Sequence, residues 1–296
     1  MFERAAARMK ILVTGAAGRL GSLVCKELSR CGHAVRASDR HDPAELGFPL
    51  TRADLRDPAA VSALLSEQDA VVHLGNLASL SAGPSPQAVL ADNVAMNANV
   101  FQAARELGVE RIVFASSLQA MIRLDDGRPS PPPYTIPYFP LDGEAPTNPG
   151  RNYYALSKEF GERMLRLLSE QEPRLRCTSL RFPMLAGDWL RQRLQQPVPL
   201  SSVNFAEALT YLELADAARL VALVLERQAP GYHQYFPAQT LRLDGYNVAA
   251  LLAEFYPDTP LRRPPEQLDS LVDGITLERD FGFCPSPPLT VRVDRR

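Results

Sequence analysis

The feature that most constrains the fold of this chain is a glycine-rich turn, Thr14–Gly21, which follows an apolar run and opens the helical pattern Arg19–Arg30. Gly15 permits a tight turn, Gly18 lets backbone N–H groups approach a pyrophosphate, and Gly21 lets the helix pack closely on a strand. The helix N-terminus then faces the anion with its partial positive charge. We expect the turn to bind a dinucleotide through Gly15, Ala17, Gly18, Arg19, Leu20 and Gly21.

Short apolar runs alternate with helical patterns along much of the chain, which indicates an α/β fold with a doubly wound parallel sheet covered on both faces. The strands are predicted at Lys10–Thr14, Ala34–Ser38, Ala70–Leu74, Arg111–Ser116 and Arg176–Arg181. The helices are predicted at Arg19–Arg30, Pro58–Ser66, Pro86–Leu107, Asn152–Leu168 and Asp216–Glu226. The last seventy or so residues contain short, Pro-rich elements, and we expect them to pack on the sheet as a cap.

One segment, residues 121–152, interrupts this alternation because it holds eight prolines. Proline lacks the backbone N–H group that helices and central strands require. We therefore predict a long surface loop. A lid or binding loop and a passive insertion both remain open for it.

The composition excludes several classes of protein. The chain has 296 residues, of which 46% are hydrophobic and 22% are charged, so it can bury a sizeable core. Its formal net charge is −2 without a basic face, and we expect no nucleic-acid partner. No apolar run approaches the roughly 20 residues of a membrane span, and the N-terminus lacks the apolar segment of a secretory signal. We expect no membrane partner.

The cysteines and histidines fit neither a disulfide framework nor a metal site. We expect half-buried or buried thiols in a reducing cytoplasm, structural histidines and no metal. The residues concerned are Cys25, Cys31, Cys177, Cys284, His33, His41, His73 and His233.

Acidic residues after the second strand bear on the choice of dinucleotide. Asp39 ends that strand, where a carboxylate accepts hydrogen bonds from the adenosine ribose and repels a 2′-phosphate. This favours NAD over NADP, although the adjacent Arg40 is able to meet a phosphate. Asp54 and Leu55 follow a short extended stretch, and we expect Asp54 to hold the adenine amino group.

A phenol and an ammonium lie one helical turn apart at Tyr154 and Lys158, on the same face of a predicted helix. A tyrosine pKa is ordinarily about 10, so a phenolate base near pH 7 needs roughly 3 units of stabilisation, about 4 kcal/mol. The charges of Lys158 and of a nicotinamide ring have the right sign to lower that pKa. Tyr153 is excluded because Ser157, not a lysine, lies four residues later.

Two serines end the strand that begins at Arg111. The carboxyl ends of strands face the ligand crevice in open α/β sheets, so a hydroxyl there is placed to bond a substrate oxygen. We predict that Ser117 makes this contact and that Ser116 lies behind it, next to the cofactor.

As a set, these residues resemble the extended short-chain dehydrogenase/reductases, the NAD-dependent epimerase/dehydratase family. The resemblance covers the chain from Met9 onward. It rests on Thr14–Gly21, Asp39, Asp54-Leu55, His73–Asn76, Asn93, Ser116-Ser117, Tyr154–Lys158, Arg181–Pro183, Asp216 and Gly282–Pro285.

The resemblance implies a Rossmann-like NAD-binding domain over residues 9–185, with 121–152 as an insertion. A small C-terminal cap over 186–296 is then expected to bind mainly substrate, with helix 213–227 packing back on the Rossmann sheet. It also implies a homodimer formed through the long helix before Gly108 and the helix that carries Tyr154.

The resemblance further implies a Ser-Tyr-Lys site of Ser117, Tyr154 and Lys158, in which Lys158 also holds the nicotinamide ribose. Asn93 or Asn97 is expected on the helix behind the site. The further residues expected at the cofactor are Leu74, Gly75, Asn76, Asn93, Ser116, Tyr154, Lys158 and Phe182. Those expected at the substrate are Leu77, Ser117, Leu118, Gln119, Tyr154 and Pro183.

Departures from the family pattern narrow the expected chemistry. Sugar-nucleotide dehydratases carry an acid pair after the active-site Ser or Thr, whereas this sequence has Leu118-Gln119 there, which cannot ionise. A dehydratase is therefore not expected. Nucleotide-sugar epimerases carry a long diphosphate clamp, whereas only the stretch Gly187–Tyr211 is present here. Its Arg191 and Arg193 are expected as solvated side chains, with anion binding as the alternative. The short clamp is similar to that of uronate dehydrogenases.

We therefore expect an NAD-dependent oxidoreductase that acts on a secondary hydroxyl of a sugar-type small molecule, such as a sugar or sugar acid. Two alternatives remain open. One is a nucleotide-sugar epimerase that keeps NAD bound, and the other is a non-enzymatic NAD-sensing regulator.

Overall fold

The computed structural model describes residues 8–41, 46–78, 85–124 and 132–294. Within these ranges the strands are β1 Lys10–Thr14, β2 Ala34–Asp39, β3 Leu50–Arg52, β4 Ala70–His73, β5 Arg111–Ser117, β6 Arg176–Phe182, β7 Met184–Ala186, β8 Val198–Pro199, β9 Thr210–Glu213, β10 Gly231–Tyr235, β11 Gln239–Thr240, β12 Arg242–Leu243, β13 Thr290–Val291 and β14 Val293–Asp294. The α-helices are α1 Arg19–Arg30, α2 Pro58–Leu65, α3 Pro86–Glu106, α4 Tyr153–Gln171, α5 Asp188–Arg193, α6 Leu214–Arg227, α7 Val248–Phe255 and α8 Ile275–Phe281.

The main sheet of the described residues has seven parallel strands in the order β10-β6-β5-β4-β1-β2-β3. The strand order reverses between β1 and β4, and ligands bind outside the carboxyl ends of strands at such a switch point. The predicted doubly wound, Rossmann-like α/β fold is confirmed.

Helices cover both faces of this sheet because each has an apolar stripe that needs burial. On one face, Val24 and Leu28 of α1 pack with Leu220 and Val224 of α6 in a single core. On the other face, α2, α3 and α4 form a second core around residues such as Phe101.

Side chains fix where three of these helices begin. The Asp57 carboxylate accepts a hydrogen bond from the N–H group of Ala59 at the start of α2, and the Ser85 hydroxyl caps α3. The Asn152 side chain accepts from the N–H groups of Tyr154 and Ala155 at the start of α4. Each bond satisfies an N–H group that has no partner inside its helix.

The Pro-rich segment differs from the prediction of a surface loop. Ile136, Phe139 and Leu141 are buried in a third core, which they share with the C-terminal residues. The N–H groups of Phe139 and Leu141 donate to the carbonyls of Pro260 and Leu271, at 2.9 and 2.8 Å. The prediction was wrong for 136–145 because prolines exclude a helix but leave the side chains between them free to pack. Pro129 and Pro131 lie outside the described residues.

The C-terminal part contributes to the main sheet as well as to the cap. Its strand β10 adds the seventh strand of the main sheet, beside β6. Small sheets made by β7, β9 and β11, by β12 and β13, and by β8 and β14 build the rest of the cap. The boundary at residue 185 between the Rossmann-like domain and the cap stays a prediction. In the described part of the chain, we find no helix with the length and apolar character needed to cross a bilayer.

Candidate active site

The glycine turn is packed so tightly that side chains are excluded from two of its positions. Gly15 has a φ of +70°, and a Cβ atom added to it would lie 2.8 Å from the backbone of Leu74 and Gly75. A Cβ atom on Gly21 would lie 2.1 Å from the Gly15 carbonyl oxygen. These contacts hold β1, the start of α1 and the loop after β4 against one another.

Gly18 differs, because an added Cβ atom would meet only the Gly15 carbonyl oxygen, at 3.1 Å. Gly18 is also the N-cap residue of α1 and offers no side chain to its first N–H groups. A helix N-terminus that lacks a side-chain cap suits a phosphate. The turn therefore fits the pyrophosphate of a dinucleotide.

The predicted ribose residue, Asp39, lies against this turn at the end of β2. Its carboxylate accepts hydrogen bonds from the N–H groups of Ala17, at 3.2 Å, and His41, at 3.1 Å. The neighbouring Arg40 contacts His41 through its side chain. A half-buried carboxylate next to the phosphate turn is suited to bind ribose hydroxyls.

Two other residues predicted at the cofactor have protein partners. Asp54 forms an ion pair with Arg56, with a shortest distance of 2.6 Å, and these hydrogen bonds lower its pKa to about 2. Arg19 donates to the carbonyl of Leu185 at 2.9 Å. Their roles toward adenine and phosphate stay predictions.

The helix α4 places Tyr154 and Lys158 at the carboxyl ends of β4 and β5. The Lys158 ammonium is buried and donates to the Asn76 side-chain oxygen at 2.8 Å and to the Ala115 carbonyl at 2.7 Å. It lies 5.4 Å from the centre of the Tyr154 ring. The structure therefore brings the predicted phenol and ammonium together.

Burial is the largest influence on the pKa values of Lys158 and Tyr154. It lowers the pKa of Lys158 to about 7, with Glu162 opposing the fall. It raises the pKa of Tyr154, and a hydrogen bond with Ser117 opposes part of the rise. Without a cofactor the phenol pKa thus lies above its ordinary value, which differs from the lowering that the Tyr-Lys spacing predicts.

The two serines at the end of β5 face different surroundings. Ser117 lies near enough to Tyr154 to lower the pKa of its phenol, and the Ser117 hydroxyl oxygen accepts from the N–H group of Gln119 at 3.2 Å. Ser116 donates to the buried Glu162 carboxylate at 2.5 Å. Ser117 therefore lies beside the phenol, whereas the Ser116 hydroxyl is taken up by Glu162, and its contact with a cofactor stays a prediction.

The loop after β4 supplies the other side of the site. Thr14 accepts hydrogen bonds from the N–H groups of Leu74 and Gly75, both at 3.2 Å. The N–H group of Leu77 donates to the side-chain oxygen of Asn93 at 2.7 Å. The predicted contacts of Leu74 and Gly75 with the cofactor and of Leu77 with the substrate stay predictions.

Three predicted substrate residues, Leu118, Gln119 and Pro183, and one predicted cofactor residue, Phe182, remain to be placed. Phe182 and Pro183 are buried at the end of β6, and Leu118 is buried in the cap core. Gln119 accepts a hydrogen bond from the Asn152 side chain at 2.8 Å. The substrate contacts of Leu118, Gln119 and Pro183 and the cofactor contact of Phe182 stay predictions.

Two buried polar clusters at the site are not evident from the sequence. In one, His73 lies between Thr14 and Asn97, at 2.8 and 3.0 Å. In the other, Arg181 pairs with Glu162. Two sequence features could have pointed to these clusters: the histidine His73 at the end of an apolar strand and the charged Arg181 inside another apolar strand. In the described ranges, no three His, Cys, Asp or Glu residues are grouped closely enough to bind a metal.

Comparison with known proteins supports this description. A family model described as the NAD dependent epimerase/dehydratase family matches residues 11–231. A uronate dehydrogenase of Pseudomonas putida is 34% identical over 158 residues, which cover 52% of this chain and 53% of that protein. The chain thus spans about half the length of the curated relatives it matches.

Solved structures extend the likeness to nearly the whole chain. UDP-glucose 4-epimerase from Bifidobacterium longum, in complex with NAD+ and UDP, has a TM-score of 0.66 at 19% identity, over 94% of each chain. Uronate dehydrogenase from Agrobacterium tumefaciens has a TM-score of 0.57 at 23% identity, over 95% of this chain and 91% of that one. At these identities the likeness shows the fold alone.

Proposed function

This chain belongs to the NAD dependent epimerase/dehydratase family, and we propose that it is an NAD-dependent oxidoreductase acting on a secondary hydroxyl of a sugar or sugar acid. One observation carries the proposal. The buried Lys158 ammonium, fixed by Asn76 and Ala115, lies beside the Tyr154 ring, and Ser117 is near enough to that tyrosine to affect its pKa. A surface tyrosine–lysine pair would have none of this burial.

The glycine turn and Asp39 suit NAD, because the start of α1 has no side-chain cap and the Asp39 carboxylate lies against the turn. NAD, when bound, supplies the hydride acceptor. The residues that would hold it are those of the turn, Asp39, the loop Leu74–Asn76 and Lys158. The position of Asp39 next to the turn favours NAD over NADP.

The chain's own residues handle the proton. The phenolate form of Tyr154 takes the proton of the substrate hydroxyl at its Oη atom as the carbinol C–H bond breaks and a carbonyl forms. Ser117 donates a hydrogen bond to the reacting oxygen. The Lys158 ammonium stabilises the phenolate against burial, which alone raises the pKa of Tyr154.

A free sugar acid is the favoured substrate. The relative from Pseudomonas putida is a uronate dehydrogenase at 34% identity. In the short stretch where epimerases carry their diphosphate clamp, Arg191 is paired with Glu213. That arginine is therefore already neutralised, which weakens the case for a nucleotide diphosphate.

A homodimer is also proposed, formed by α3 and α4. Tyr153, Phe160 and Leu167 are spaced seven residues apart on α4, so they share one face, and their exposed fractions are 38%, 37% and 55%. Light scattering should give a dimer mass for the protein and a monomer mass for Leu167→Glu. A wild-type monomer would contradict this assembly.

A cytoplasmic location is proposed on the cysteine chemistry. All four cysteines are free thiols, and two of them, Cys31 and Cys284, are exposed. Exposed free thiols suit a reducing compartment.

The deciding experiment incubates purified protein with NAD and, separately, with free uronates, aldoses and UDP-sugars, and follows NADH absorbance and sugar products together. Accumulation of NADH with a free sugar acid supports the proposal. Interconversion of UDP-sugars without net NADH would replace it by an epimerase. NAD binding with no turnover of any sugar would point to a regulator.

A further inference from the structure

A chain of buried and half-buried hydrogen bonds begins at the Lys158 ammonium and ends at the glycine turn. The ammonium donates to Asn76 Oδ1 at 2.8 Å, and Asn76 Nδ2 donates to Asn97 Oδ1 at 2.9 Å. The same Asn97 oxygen lies 3.0 Å from His73 Nε2, and His73 Nδ1 lies 2.8 Å from Thr14 Oγ1. Thr14 is the first residue of the turn, so the hydrogen-bond chain connects the lysine to the predicted phosphate site.

The direction of every bond follows from the partners. The Thr14 oxygen already accepts from the N–H groups of Leu74 and Gly75, so its hydroxyl proton is free to donate to His73 Nδ1. Burial, with the Lys158 charge, lowers the pKa of His73 to about 3, which keeps the imidazole neutral with one donor. That donor is Nε2–H, and it points at Asn97 Oδ1.

The orientation of Asn76 is then determined. Asn97 turns its oxygen toward His73 and Asn76, while its amide nitrogen lies 3.4 Å from the Ser157 carbonyl. Asn76 must donate with its NH2 group to that oxygen, so its own carbonyl oxygen faces Lys158. The network therefore presents an acceptor, and not a donor, to the ammonium.

We propose that Asn76 is a positioning residue that holds the flexible Lys158 side chain in place for the tyrosine and the cofactor. A lysine ammonium has three N–H groups on a four-carbon stem, and Asn76 and Ala115 accept from two of them. The role in catalysis rests on the proposed function, but the effect on Lys158 itself does not.

Among the described residues, few charged or titratable groups besides Asn76's own network face the Lys158 ammonium. Tyr154 and Glu162 face the ammonium from its own helix, and His73 faces it from the end of β4. The strand β5 presents the Phe114 ring, 4.9 Å from the ammonium, and an uncharged carbonyl. The helix α3 contributes only the uncharged Asn97 to this network.

The test uses the small number of lysines in the chain, which are Lys10, Lys26 and Lys158. In protein labelled with 13C- and 15N-lysine, the NMR shift of each ε-carbon reports whether its amine is protonated. A pH titration without NAD or substrate then gives the midpoint of Lys158. The Lys158→Met protein identifies its signal.

Two substitutions at Asn76 should move this midpoint in opposite directions. Asn76→Ala removes the acceptor and should lower the midpoint by about one pH unit or more, because a bond to a charged group is lost. Asn76→Asp replaces the acceptor by a carboxylate and should raise the midpoint above that of the wild type. Gln228→Ala, which removes a buried amide near Arg176 at the other end of the sheet, is the matched control and should leave it unchanged.

Midpoints that stay within about 0.3 pH units of the wild type in both Asn76 variants would overturn the proposal. The proposal would also be overturned if the Lys158 midpoint fell by the same amount in both Asn76 variants and in Gln228→Ala, since that result would indicate a general loss of packing. Once an active substrate is known, the pH profile of kcat/KM for Asn76→Ala and Asn76→Asp should shift in the same two directions. If no substrate is found, the proposed function fails while the titration still decides the role of Asn76.

Discussion

The Arg181 guanidinium and the Glu162 carboxylate form a bidentate ion pair inside the protein. Their two contacts are 2.9 and 2.7 Å long, and their side chains are 2% and 5% exposed. Arg181 also donates to the carbonyls of Gly143 and Ala145, and Ser116 donates to Glu162. The pair therefore ties the Pro-rich segment and the end of β5 to the helix that carries Tyr154.

Loss of one partner of this pair should be strongly destabilising. We expect Arg181→Met to lower the free energy of unfolding by about 3–5 kcal/mol, because it leaves a buried carboxylate without its cationic partner and two carbonyls without their donor. Urea unfolding measures the change. The control is Glu27→Gln, which breaks a pair whose partner Arg30 is 71% exposed and should cost far less. Equal losses of unfolding free energy in the two variants would mean that burial does not explain the contribution of the Arg181–Glu162 pair to stability.

The phenol should be required for turnover but not for cofactor binding. We expect Tyr154→Phe to lower kcat by roughly 10²–10⁴-fold, since it removes the proton acceptor and nothing else. Initial rates of NADH formation and calorimetric NAD affinity separate the two effects. Tyr153→Phe is the matched control, because Tyr153 is 38% exposed and should tolerate the change. Full activity of Tyr154→Phe would remove the basis of the proposed mechanism.

The buried lysine should make stability depend on pH. Burial lowers the pKa of Lys158 to about 7, below the roughly 10.4 of an unfolded chain. Between these values the unfolded state binds more protons, so stability rises with pH. The stability of Lys158→Met relative to the wild type should therefore fall by about 2–3 kcal/mol between pH 6 and pH 9.

Urea unfolding at the two pH values measures this difference. Lys26→Met is the control, because Lys26 is exposed on α1 and its replacement should leave the pH dependence unchanged. A Lys158→Met protein with the same pH dependence as the wild type would show that the lysine is not buried as described.

Local signals in the sequence were sufficient for five of the seven strands of the main sheet and for placing Tyr154 and Lys158 together. The start of α2 was correctly predicted because Asp57 and Pro58 form a cap and a first turn within a few residues. Tyr154 and Lys158 came together because helical spacing alone places them on one face. Such features depend on neighbours in the chain and on no distant contact.

The buried clusters depend on distant contacts, and this is why they were missed. His73 and Asn97 are 24 residues apart, and Asn76 and Lys158 are 82 apart, so no local pattern joins them. The same holds for the Pro-rich segment, since Phe139 and Leu141 are buried only because residues 260–273 lie beside them. Proline content indicates what a segment cannot form, but not what covers it.

The tight contact inside the glycine turn gives the last prediction. A Cβ atom on Gly21 would lie 2.1 Å from the Gly15 carbonyl oxygen and 2.8 Å from the Ala16 Cα atom, and both are backbone atoms that cannot rotate away. We expect Gly21→Ala to push α1 from the turn, to cost about 1–3 kcal/mol of stability and to weaken NAD binding at least about tenfold. Calorimetry and urea unfolding measure the two effects. Gly274→Ala is the control, because Gly274 has a φ of −94° and no atom within 4 Å of an added Cβ. Unchanged NAD affinity in Gly21→Ala would show that the close packing of α1 does not shape the binding turn.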